Sequence, residues 1–305
     1  MNSDVTVLLT GSQGQLGRHL SSLLRGKVCL VECDKNTLDI TKLSDVEELI
    51  KRIEPDIVIN AAAYTTVDKA ENEPELADEV NHIGPQNLAR AISATNALLV
   101  HVSTDYVFDG QSDKPYKETD ITNPKGVYGL TKLRGENAVK TQCSNYIILR
   151  TSWVFSEYGS NFVKTMLRLG RERNTISVVN DQFGAPTYAG DIANAILVLC
   201  SSYLANSSKM SETLHFSGYP YTNWYEFAQN IFTEADGKGL LSHPVIINQI
   251  CTSEYPTLAC RPANSKLDCS SIKQKYNIEP SNWKQALTKI LKNMEIGRAS
   301  CRERV

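Results

Sequence analysis

Short apolar segments alternate with longer segments of helical periodicity through the first half of the chain. An apolar, β-branched run of about four to eight residues is typical of a strand buried on both faces, and apolar positions three and four apart indicate an amphipathic helix. The pattern predicts strands at residues 5–9, 28–31, 56–60, 98–103 and 146–150. It predicts helices at 16–24, 44–53, 74–94 and 124–140, the second of them capped by Ser44. This alternation predicts an α/β fold with a doubly wound parallel sheet and right-handed crossovers.

The alternation loosens after about residue 151, where we predict further helices at 161–169, 191–204 and 283–294. We therefore expect a Rossmann-like dinucleotide-binding domain over residues 1–155 and a smaller, mainly substrate-binding C-terminal lobe over residues 156–294. The boundary is soft, because some segments return to the main domain. Residues 295–305 read EIGRASCRERV and do not fit the preceding helix. We interpret them as a non-native tail, the translation of an adapter joined to a truncated gene.

Charge and composition narrow the classes of partner. The formal net charge is −2, which argues against nucleic acid or an anionic membrane surface as the main partner. No apolar run approaches the roughly 20 residues of a membrane span, and the N-terminus lacks the basic start of a signal peptide, so we expect a cytoplasmic protein. The eight cysteines are scattered without a CxxC, and no ligands stand at the spacing of a zinc site. We therefore expect reduced thiols and no metal.

Three glycines follow the first predicted strand in the segment TGSQGQLG. Gly11 permits a tight turn with positive φ, and Gly17 lets the next helix pack closely on the strand. Gly14 lets the backbone approach a pyrophosphate at the N-terminus of that helix. The spacing is GxxGxxG, so a tight turn without a ligand is the alternative. The position at the first strand–helix junction favours a dinucleotide cofactor.

Further candidate cofactor contacts follow the second and third predicted strands. Asp34 closes the second strand, where an acidic side chain commonly binds the adenosine ribose and repels a 2′-phosphate; a solvated acidic loop is the alternative. Asp39 lies in a short turn and either faces the adenine amino group or caps a helix. The small residues at 61–63 leave room for a cofactor backbone, unless they serve close packing alone.

Tyr128 and Lys132 stand four residues apart in a predicted helix, which places both side chains on one face. An ammonium beside a phenol stabilises the phenolate and brings the pKa of tyrosine, ordinarily about 10, nearer the working range for proton transfer. The same ammonium can hold the nicotinamide ribose. Ser103 or Thr104, after the fourth strand, can place a hydroxyl against a substrate carbonyl. A glycine turn, this hydroxyl and YxxxK, in that order, indicate a short-chain dehydrogenase.

Seven segments, spread over nearly the whole chain, resemble the bacterial dTDP-4-dehydrorhamnose reductases of the extended short-chain dehydrogenase/reductase family. They are TGSQGQLG, DIVINAAAYTTVDKAE, VSTDYVFDG, YGLTKLRGE, LRTSWVF, DQFGAPTYAGDIA and RPANSKLDCS. YTTVDKAE and the TSWV after the fifth strand are more specific than anything shared by the wider superfamily. The resemblance implies NAD(P)H-dependent reduction of the C4 carbonyl of a small-molecule nucleotide sugar, dTDP-4-dehydro-6-deoxy-L-mannose, to dTDP-L-rhamnose.

The resemblance also implies roles for individual residues. Thr104 polarises the C4 carbonyl, Tyr128 donates the proton, and Lys132 tunes Tyr128 and binds the ribose. Cofactor contacts are implied for Gly11, Gln13, Gly14, Gln15, Leu16, Asp39, Ile40, Ala62, Ala63, Tyr64, Tyr128 and Lys132, to which the residue pattern adds Gly17 and Asp34. Substrate contacts are implied for Thr104, Asp105, Tyr106, Trp153, Asn264 and Ser265. Trp153 either stacks on a base or sugar or is a core tryptophan.

The residues around the expected ribose site point to both nicotinamide cofactors. Glu32 and Asp34 favour NADH, because a carboxylate repels the 2′-phosphate of NADPH. Arg18 and Lys35 favour tolerance of that phosphate. We therefore expect use of both NADPH and NADH.

Assembly and two other functions complete the expectations. Some members of the family form a magnesium-bridged dimer through acidic residues near the positions of Gln15 and Gly190. Neither residue is acidic here, so we expect no such metal site, although a homodimer is compatible with the sequence.

A non-catalytic, NADP-binding regulatory subunit of methionine adenosyltransferase shares DYVFDG and YGxTKLxGE but not YTTVDKAE. A sugar-nucleotide epimerase shares the fold and YxxxK but re-oxidises its own NADH, so stoichiometric cofactor consumption separates it from a reductase.

Overall fold

The computed structural model describes residues 1, 3–206 and 209–302, and over 295–302 it describes the backbone alone. The predicted non-native tail, 295–305, lies outside the fully described residues. The strands are β1 Thr6–Thr10, β2 Cys29–Cys33, β3 Ile57–Asn60, β4 Leu98–Thr104, β5 Tyr146–Thr151, β6 Val154–Phe155, β7 Thr175–Val179, β8 Phe183–Gly184, β9 Thr187–Tyr188, β10 Ser211–His215, β11 Gly218–Tyr219, β12 Thr222–Asn223, β13 Ile246–Ile250 and β14 Ser281–Asn282. The helices are α1 Gln15–Leu24, α2 Leu43–Ile53, α3 Val67–Ala70, α4 Pro74–Asp78, α5 Gly84–Ala91, α6 Val127–Gln142, α7 Phe162–Glu172, α8 Ala189–Asn206, α9 Trp224–Asp236, α10 Ser270–Tyr276 and α11 Trp283–Arg302.

Six parallel strands form the central sheet in the order β2–β1–β3–β4–β5–β10. Successive residues of a strand face opposite sides of a sheet. In β1, Val7 and Leu9 therefore join the apolar core under α1 and α8, and Leu8 joins the core under α2, α5 and α6. Both faces of the sheet are buried, which is why its strands read as continuous apolar runs. The doubly wound α/β fold predicted from the sequence is confirmed.

A third apolar core, around Phe227 and Trp283, belongs to the second half of the chain. Here β7 pairs with β13 in parallel, and α7, α9 and α11 contribute to the core that covers them. Strand β10 instead pairs with β5 and extends the central sheet. The chain thus leaves the central sheet after β5, returns to it with β10 and then completes the smaller lobe.

Two helices differ from the sequence pattern. The prediction that Ser44 caps the second helix is wrong, because α2 begins one residue earlier, at Leu43, and Ser44 lies inside the first turn. The helix predicted over 74–94 is interrupted by a π-helix at Glu79–Ile83, between α4 and α5. Among the described helices, none is long and apolar enough to cross a membrane.

Candidate active site

The turn between β1 and α1 requires glycine at two positions. Gly11 has a φ of +69°, and a Cβ there would lie 2.6 Å from backbone atoms of Ala61 and Ala62. A Cβ on Gly17 would lie 2.1 Å from the carbonyl oxygen of Gly11. Gly14 is the N-cap of the ten-residue helix α1 and supplies no side-chain cap. The N–H groups of the first turn are therefore available for an anion such as a pyrophosphate.

Three side chains expected at the cofactor lie along this turn and the start of α1. Gln13 is exposed, and its Oε1 accepts a hydrogen bond from Arg18 at 3.4 Å. Gln15 Oε1 accepts one from Asn161 Nδ2 at 2.8 Å, which ties α1 to the segment before α7. Leu16 is buried in the core on one face of the sheet, so its backbone alone is placed to meet a cofactor.

The two acidic residues at the end of β2 have different partners. Asp34 Oδ1 accepts hydrogen bonds from the backbone N–H groups of Asn36 at 2.9 Å and Thr37 at 3.1 Å, and the bond from Asn36 is the largest cause of the lowered pKa of Asp34. The Glu32 carboxylate is bound by Arg25 at 2.8 Å. Because Glu32 is paired with Arg25, Asp34 is the carboxylate of the two that could bind a ribose. Asp34 also closes its own turn.

Asp39 and Ile40 lie in the connection from β2 to α2. Asp39 Oδ1 accepts hydrogen bonds from the N–H of Thr41 at 3.1 Å and from its hydroxyl at 2.7 Å. It therefore closes a local turn rather than capping α2. Ile40 is buried, and its carbonyl accepts a hydrogen bond from Asn87 on α5 at 3.0 Å. These contacts fix the connection against the second face of the sheet.

The loop after β3 is held by two asparagine side chains. Asn60 Oδ1 accepts a hydrogen bond from the N–H of Ala62 at 3.1 Å. Asn81, in the π-helix, accepts one from the N–H of Tyr64 at 2.9 Å and donates one to its carbonyl at 3.0 Å. Ala62, Ala63 and Tyr64 are partly exposed. The loop therefore presents fixed backbone and small side chains at the carboxyl edge of the sheet.

These features fit a dinucleotide cofactor. The uncapped N-terminus of α1 and the loop after β3 lie at the carboxyl edge of the strands, where ligands bind in open α/β sheets. Gly11 and Gly14 would hold the pyrophosphate. Asp34 and Asp39 would contact the adenosine, and the backbone of residues 62–64 would contact the rest of the dinucleotide. In the described part of the chain, no group of three or more His, Cys, Asp or Glu side chains could hold a metal ion.

The two candidate hydroxyls at the end of β4 are placed differently. Ser103 is buried and donates a hydrogen bond to Glu136 Oε1 at 2.5 Å, so its hydroxyl is engaged inside the fold. Thr104 donates to Asp105 Oδ1 at 3.1 Å and is also hydrogen-bonded to Tyr128. Of the two, Thr104 is therefore the hydroxyl that stands beside the predicted proton donor.

Asp105 is a buried carboxyl group with one free oxygen. Burial raises its pKa to about 6, and hydrogen bonds from Ser265 and Thr104 oppose the shift. Its Oδ2 has no hydrogen-bond partner among the described residues. Because an unpaired buried acceptor is costly, this oxygen is suited to accept a hydrogen bond from a ligand hydroxyl.

Tyr128 stands in the first turn of α6, at the cleft. The Glu71 carboxylate accepts a hydrogen bond from the N–H of Val127 at 2.9 Å and so caps this helix. The Tyr128 ring meets Tyr106 edge to face, with 5.4 Å between ring centroids. Burial raises the pKa of Tyr128 to about 12, and the hydrogen bond with Thr104 partly offsets the rise. Tyr128 is therefore protonated at neutral pH, as a proton donor must be.

Lys132 lies one turn after Tyr128 and is 2% exposed. Its Nζ donates a hydrogen bond to the carbonyl of Val102 at 2.6 Å and lies 3.5 Å from His101 Nε2. Burial lowers the pKa of Lys132 to about 8, against the opposing effect of Glu136. In this arrangement Nζ is hydrogen-bonded to the β4 carbonyl, and burial is the largest influence on the pKa of Tyr128.

Trp153 belongs to a stacked pair of indoles. It has a φ of +48° and lies on Trp224, with 3.6 Å between ring centroids and 12° between ring planes. The edge of its indole also lies close to Gly184. The side chain is partly exposed, so Trp153 is neither an isolated platform nor a fully buried core residue. It joins the end of the central sheet to the start of α9.

Asn264 and Ser265 lie behind the cleft. The Asn264 amide donates hydrogen bonds to the carbonyls of Ser112 at 2.6 Å and Lys114 at 2.9 Å, and accepts one from the N–H of Lys266. Its polar atoms are thus used to hold the loop after β4, which does not support the expected substrate contact. Ser265 is buried and hydrogen-bonds the Asp105 carboxyl group.

An ion pair links the segment before β14 to the helix after the β3 loop. Arg261 Nη2 donates to Asp68 Oδ2 at 2.7 Å, and Asp68 Oδ1 accepts from the N–H of Ala259 at 3.3 Å. Neither charged residue stands in a pattern that predicts this pair, although both fall in segments that carry the family resemblance. Asn81 and Trp224 were missed for a different reason: a π-helix and a stacked indole pair leave no pattern in the sequence.

Comparisons with known proteins agree on one family. The sequence profile described as the RmlD substrate binding domain matches residues 5–296. The dTDP-4-dehydrorhamnose reductase of Aggregatibacter actinomycetemcomitans is 47% identical over 286 residues, which cover 93% of this chain and 97% of that protein. A Clostridium acetobutylicum dTDP-4-dehydrorhamnose reductase structure has a TM-score of 0.89 at 37% identity and covers 95% of this chain and all of its own. The Bacillus anthracis dTDP-4-dehydrorhamnose reductase, solved in complex with NADP, has a TM-score of 0.88 at 38% identity, with 96% of this chain and 100% of that chain covered.

Proposed function

The chain belongs to the RmlD substrate binding domain family, and we propose that it is an NADPH-dependent reductase of a nucleotide sugar. Its substrate is dTDP-4-dehydro-6-deoxy-L-mannose and its product dTDP-L-rhamnose. The observation that carries the proposal is the arrangement of Thr104, Tyr128 and Lys132 around the carboxyl-terminal half of β4. The similarity to named dTDP-4-dehydrorhamnose reductases over nearly the whole chain supports the choice of substrate.

The side chains of the site provide acid catalysis of carbonyl reduction. A bound nicotinamide cofactor supplies the hydride. Tyr128, which holds its proton at neutral pH, donates it to the carbonyl oxygen as negative charge develops there. Thr104, beside Tyr128, polarises the same oxygen when its hydroxyl proton turns from Asp105 to the carbonyl. Lys132, cationic below about pH 8, holds the ribose and stabilises the phenolate left behind.

Three groups on the substrate side would recognise the nucleotide sugar. The free Oδ2 of Asp105 accepts a sugar hydroxyl, and Tyr106 packs beside Tyr128. The indole of Trp153, backed by Trp224, offers an apolar surface to a sugar or base. Asn264 and Ser265 act indirectly: Asn264 holds the neighbouring loop and Ser265 holds Asp105.

NADPH is the first expected cofactor, because the similar Bacillus anthracis structure was solved with NADP. We propose that NADH is used as well, with less than about tenfold preference, since Asp34 repels a 2′-phosphate while Arg18 and Lys35 attract one. Steady-state kcat/KM values for both cofactors test this. Asp34→Asn keeps the turn-closing oxygen and removes the charge, so it should shift the ratio of kcat/KM values toward NADPH. An unchanged ratio would show that Asp34 does not face the ribose.

The reductase is tested by the loss of NADPH absorbance with dTDP-4-dehydro-6-deoxy-L-mannose as substrate. One NADPH is oxidised for each dTDP-L-rhamnose formed. A regulatory subunit of the methionine adenosyltransferase type would bind NADP and consume none. An epimerase would convert the sugar without net consumption. Either of these outcomes would replace the proposal.

A further inference from the structure

A buried chain of polar groups runs from the glycine turn to the catalytic lysine. Thr10 Oγ1 and the N–H of Ala62 both donate to Asn60 Oδ1, at 2.7 and 3.1 Å. Asn60 Nδ2 lies 3.1 Å from His101 Nδ1, and His101 Nε2 lies 3.5 Å from Lys132 Nζ. Asn60 is 1% exposed and His101 is 0% exposed. This series of polar groups runs from the carboxyl ends of β1 and β3 to the middle of β4 and then to α6.

The orientation of the Asn60 amide is fixed by its neighbours. The N–H of Ala62 is a donor only, so the atom of Asn60 that faces it must be the oxygen. The amide nitrogen, which is also a donor only, therefore faces His101 Nδ1. His101 Nδ1 must accept this hydrogen bond and carries no proton.

The proton of His101 is consequently on the other ring nitrogen. Burial, and then the nearby Lys132, hold the pKa of His101 well below its ordinary value, so the ring is neutral. A neutral imidazole carries one proton. With Nδ1 as an acceptor, that proton lies on Nε2 and points at the Lys132 amine.

We propose that His101 is a positioning residue that, locked by Asn60 in the Nε2–H tautomer, turns the Lys132 ammonium away from the ring and onto the Val102 carbonyl. A donor facing a donor cannot form a hydrogen bond, so the ring gives the ammonium no anchor. Val102 takes one of the three N–H groups of the ammonium. The inference deepens the proposed function, on which its catalytic consequence rests.

The same contact disfavours the charged form of Lys132. An N–H dipole aimed at an ammonium opposes protonation and adds to burial, which lowers the pKa of Lys132 to about 8. Glu136, on the same helix, raises this pKa, and Glu136 is itself paired with Arg150 of β5. His101 faces Lys132 from β4, Asp105 acts on Tyr128 one turn earlier in α6, and the Asp78–Arg134 pair joins α4 to α6.

Nitrogen NMR tests the tautomer without reference to activity. In uniformly ¹⁵N-labelled protein, two-bond ¹H–¹⁵N correlations distinguish a protonated from an unprotonated ring nitrogen. The signals of His101 are identified by their loss in His101→Asn. We expect a protonated Nε2, an unprotonated Nδ1 and no titration between pH 6 and about 9. A protonated Nδ1, or a ring that titrates in this range, would overturn the inference even if the protein is a reductase.

The pH profile of turnover tests the effect on Lys132. Reduction requires the ammonium, so kcat/KM is present below the pKa of Lys132 and is lost as pH rises through about 8. His101→Asn retains an oxygen for Asn60 and has no N–H at the Nε2 position, so the alkaline limb should move up by about one pH unit.

His215→Asn is the matched control. His215 is also buried and neutral, with a pKa lowered to about 3, but it contacts Tyr116 and Arg150 instead of Lys132. The His215→Asn substitution should lower the stability of the protein and leave the pH at which kcat/KM falls unchanged. The positioning role of His101 would be contradicted if kcat/KM of His101→Asn fell at the same pH as in the unaltered protein. It would also be contradicted if His215→Asn shifted this pH by as much as His101→Asn.

Discussion

Tyr128 and Asp105 are near each other, and at neutral pH the first is protonated while the second is ionised. Tyr128 keeps its proton at neutral pH because burial raises its pKa to about 12. Asp105 has a pKa of about 6, since burial disfavours its carboxylate while Ser265 and Thr104 stabilise it. At neutral pH the site therefore offers one proton to give and one carboxylate oxygen to accept a hydrogen bond. This division matches a reaction that protonates an oxygen on a hydroxyl-rich substrate.

Replacing Tyr128 by phenylalanine removes the proton and keeps the ring contact with Tyr106. We expect kcat to fall about 10²–10⁴-fold, the usual contribution of general acid catalysis. The Kd for NADPH, measured by fluorescence titration, should change little, because no expected cofactor contact depends on the phenol alone. A kcat within a few-fold of the unaltered protein would remove Tyr128 from the mechanism.

Asp105 should make KM for the nucleotide sugar depend on pH on the acidic side of neutrality. Its carboxylate accepts a hydrogen bond from a substrate hydroxyl more strongly when ionised, so KM for the nucleotide sugar should rise as pH falls through about 6. Asp105→Asn retains an amide oxygen and cannot titrate. In that variant KM should be higher and independent of pH over this range. A limb that persists in Asp105→Asn would assign the titration to another group.

At the scale of elements, α6 is the part on which the chemistry depends. Glu71 caps its N-terminus, beside Tyr128. Farther along, Glu136 receives two hydrogen bonds from Arg150 of β5, at 2.9 and 2.7 Å, and one from Ser103 of β4. The helix is thus fixed along its axis from the cleft to the middle of the sheet, which holds Tyr128 and Lys132 in register with β4.

Glu136→Gln should destabilise the protein strongly, because it leaves the Arg150 charge buried without its counter-ion. We expect the free energy of unfolding to fall by about 3–5 kcal/mol in chemical denaturation. Burial raises the pKa of Glu136, but the contacts with Arg150 outweigh it and the net shift is downward. The stabilisation is therefore present above the pKa of an unfolded glutamate and lost as pH falls through the folded value.

Glu172→Gln is the control for that experiment. It breaks an exposed pair with Arg168, in which both side chains are at least half exposed, and should cost less than about 1 kcal/mol. Equal losses of stability in the two variants would show that the Glu136–Arg150 pair does not anchor α6.

The elements themselves were largely predictable because local pattern and tertiary burial agree. β1 and β3 are buried on both faces and read as uninterrupted apolar runs. The π-helix at Glu79–Ile83 could not be predicted, since it has no periodicity of its own and its Asn81 serves a loop in a different part of the chain. The wrong cap at Ser44 has a related cause: several polar residues precede α2, and their spacing alone does not select the first turn.

At the scale of the molecule, two contacts join segments that are far apart in the sequence. Gln15 at the start of α1 binds Asn161, and Asp68 after the β3 loop binds Arg261. Tyr128 and Lys132 were predictable because they lie four residues apart in one helix. The roles of Asp68 and Arg261 were not, because they are separated by 193 residues and meet only when the chain is folded.

Breaking the Asp68–Arg261 pair should affect substrate binding more than stability. Asp68→Asn keeps the size of the side chain and frees Arg261, so we expect KM for the nucleotide sugar to rise several-fold while the Kd for NADPH and the melting temperature change little. Glu212→Gln, which breaks the surface pair with Lys275, is the control and should alter neither constant. A large fall in melting temperature with normal KM would make the pair a structural contact alone.

As a reductase, the protein would deliver a hydride from added cofactor to C4 of the nucleotide sugar. The most direct measurement uses NADPH carrying deuterium at the transferred position of C4 of the nicotinamide, with dTDP-4-dehydro-6-deoxy-L-mannose, and analyses the product by NMR and mass spectrometry. We expect dTDP-L-rhamnose that is one mass unit heavier, with the deuterium at C4 of the sugar. Unlabelled product, deuterium at another carbon, or no dTDP-L-rhamnose would contradict it.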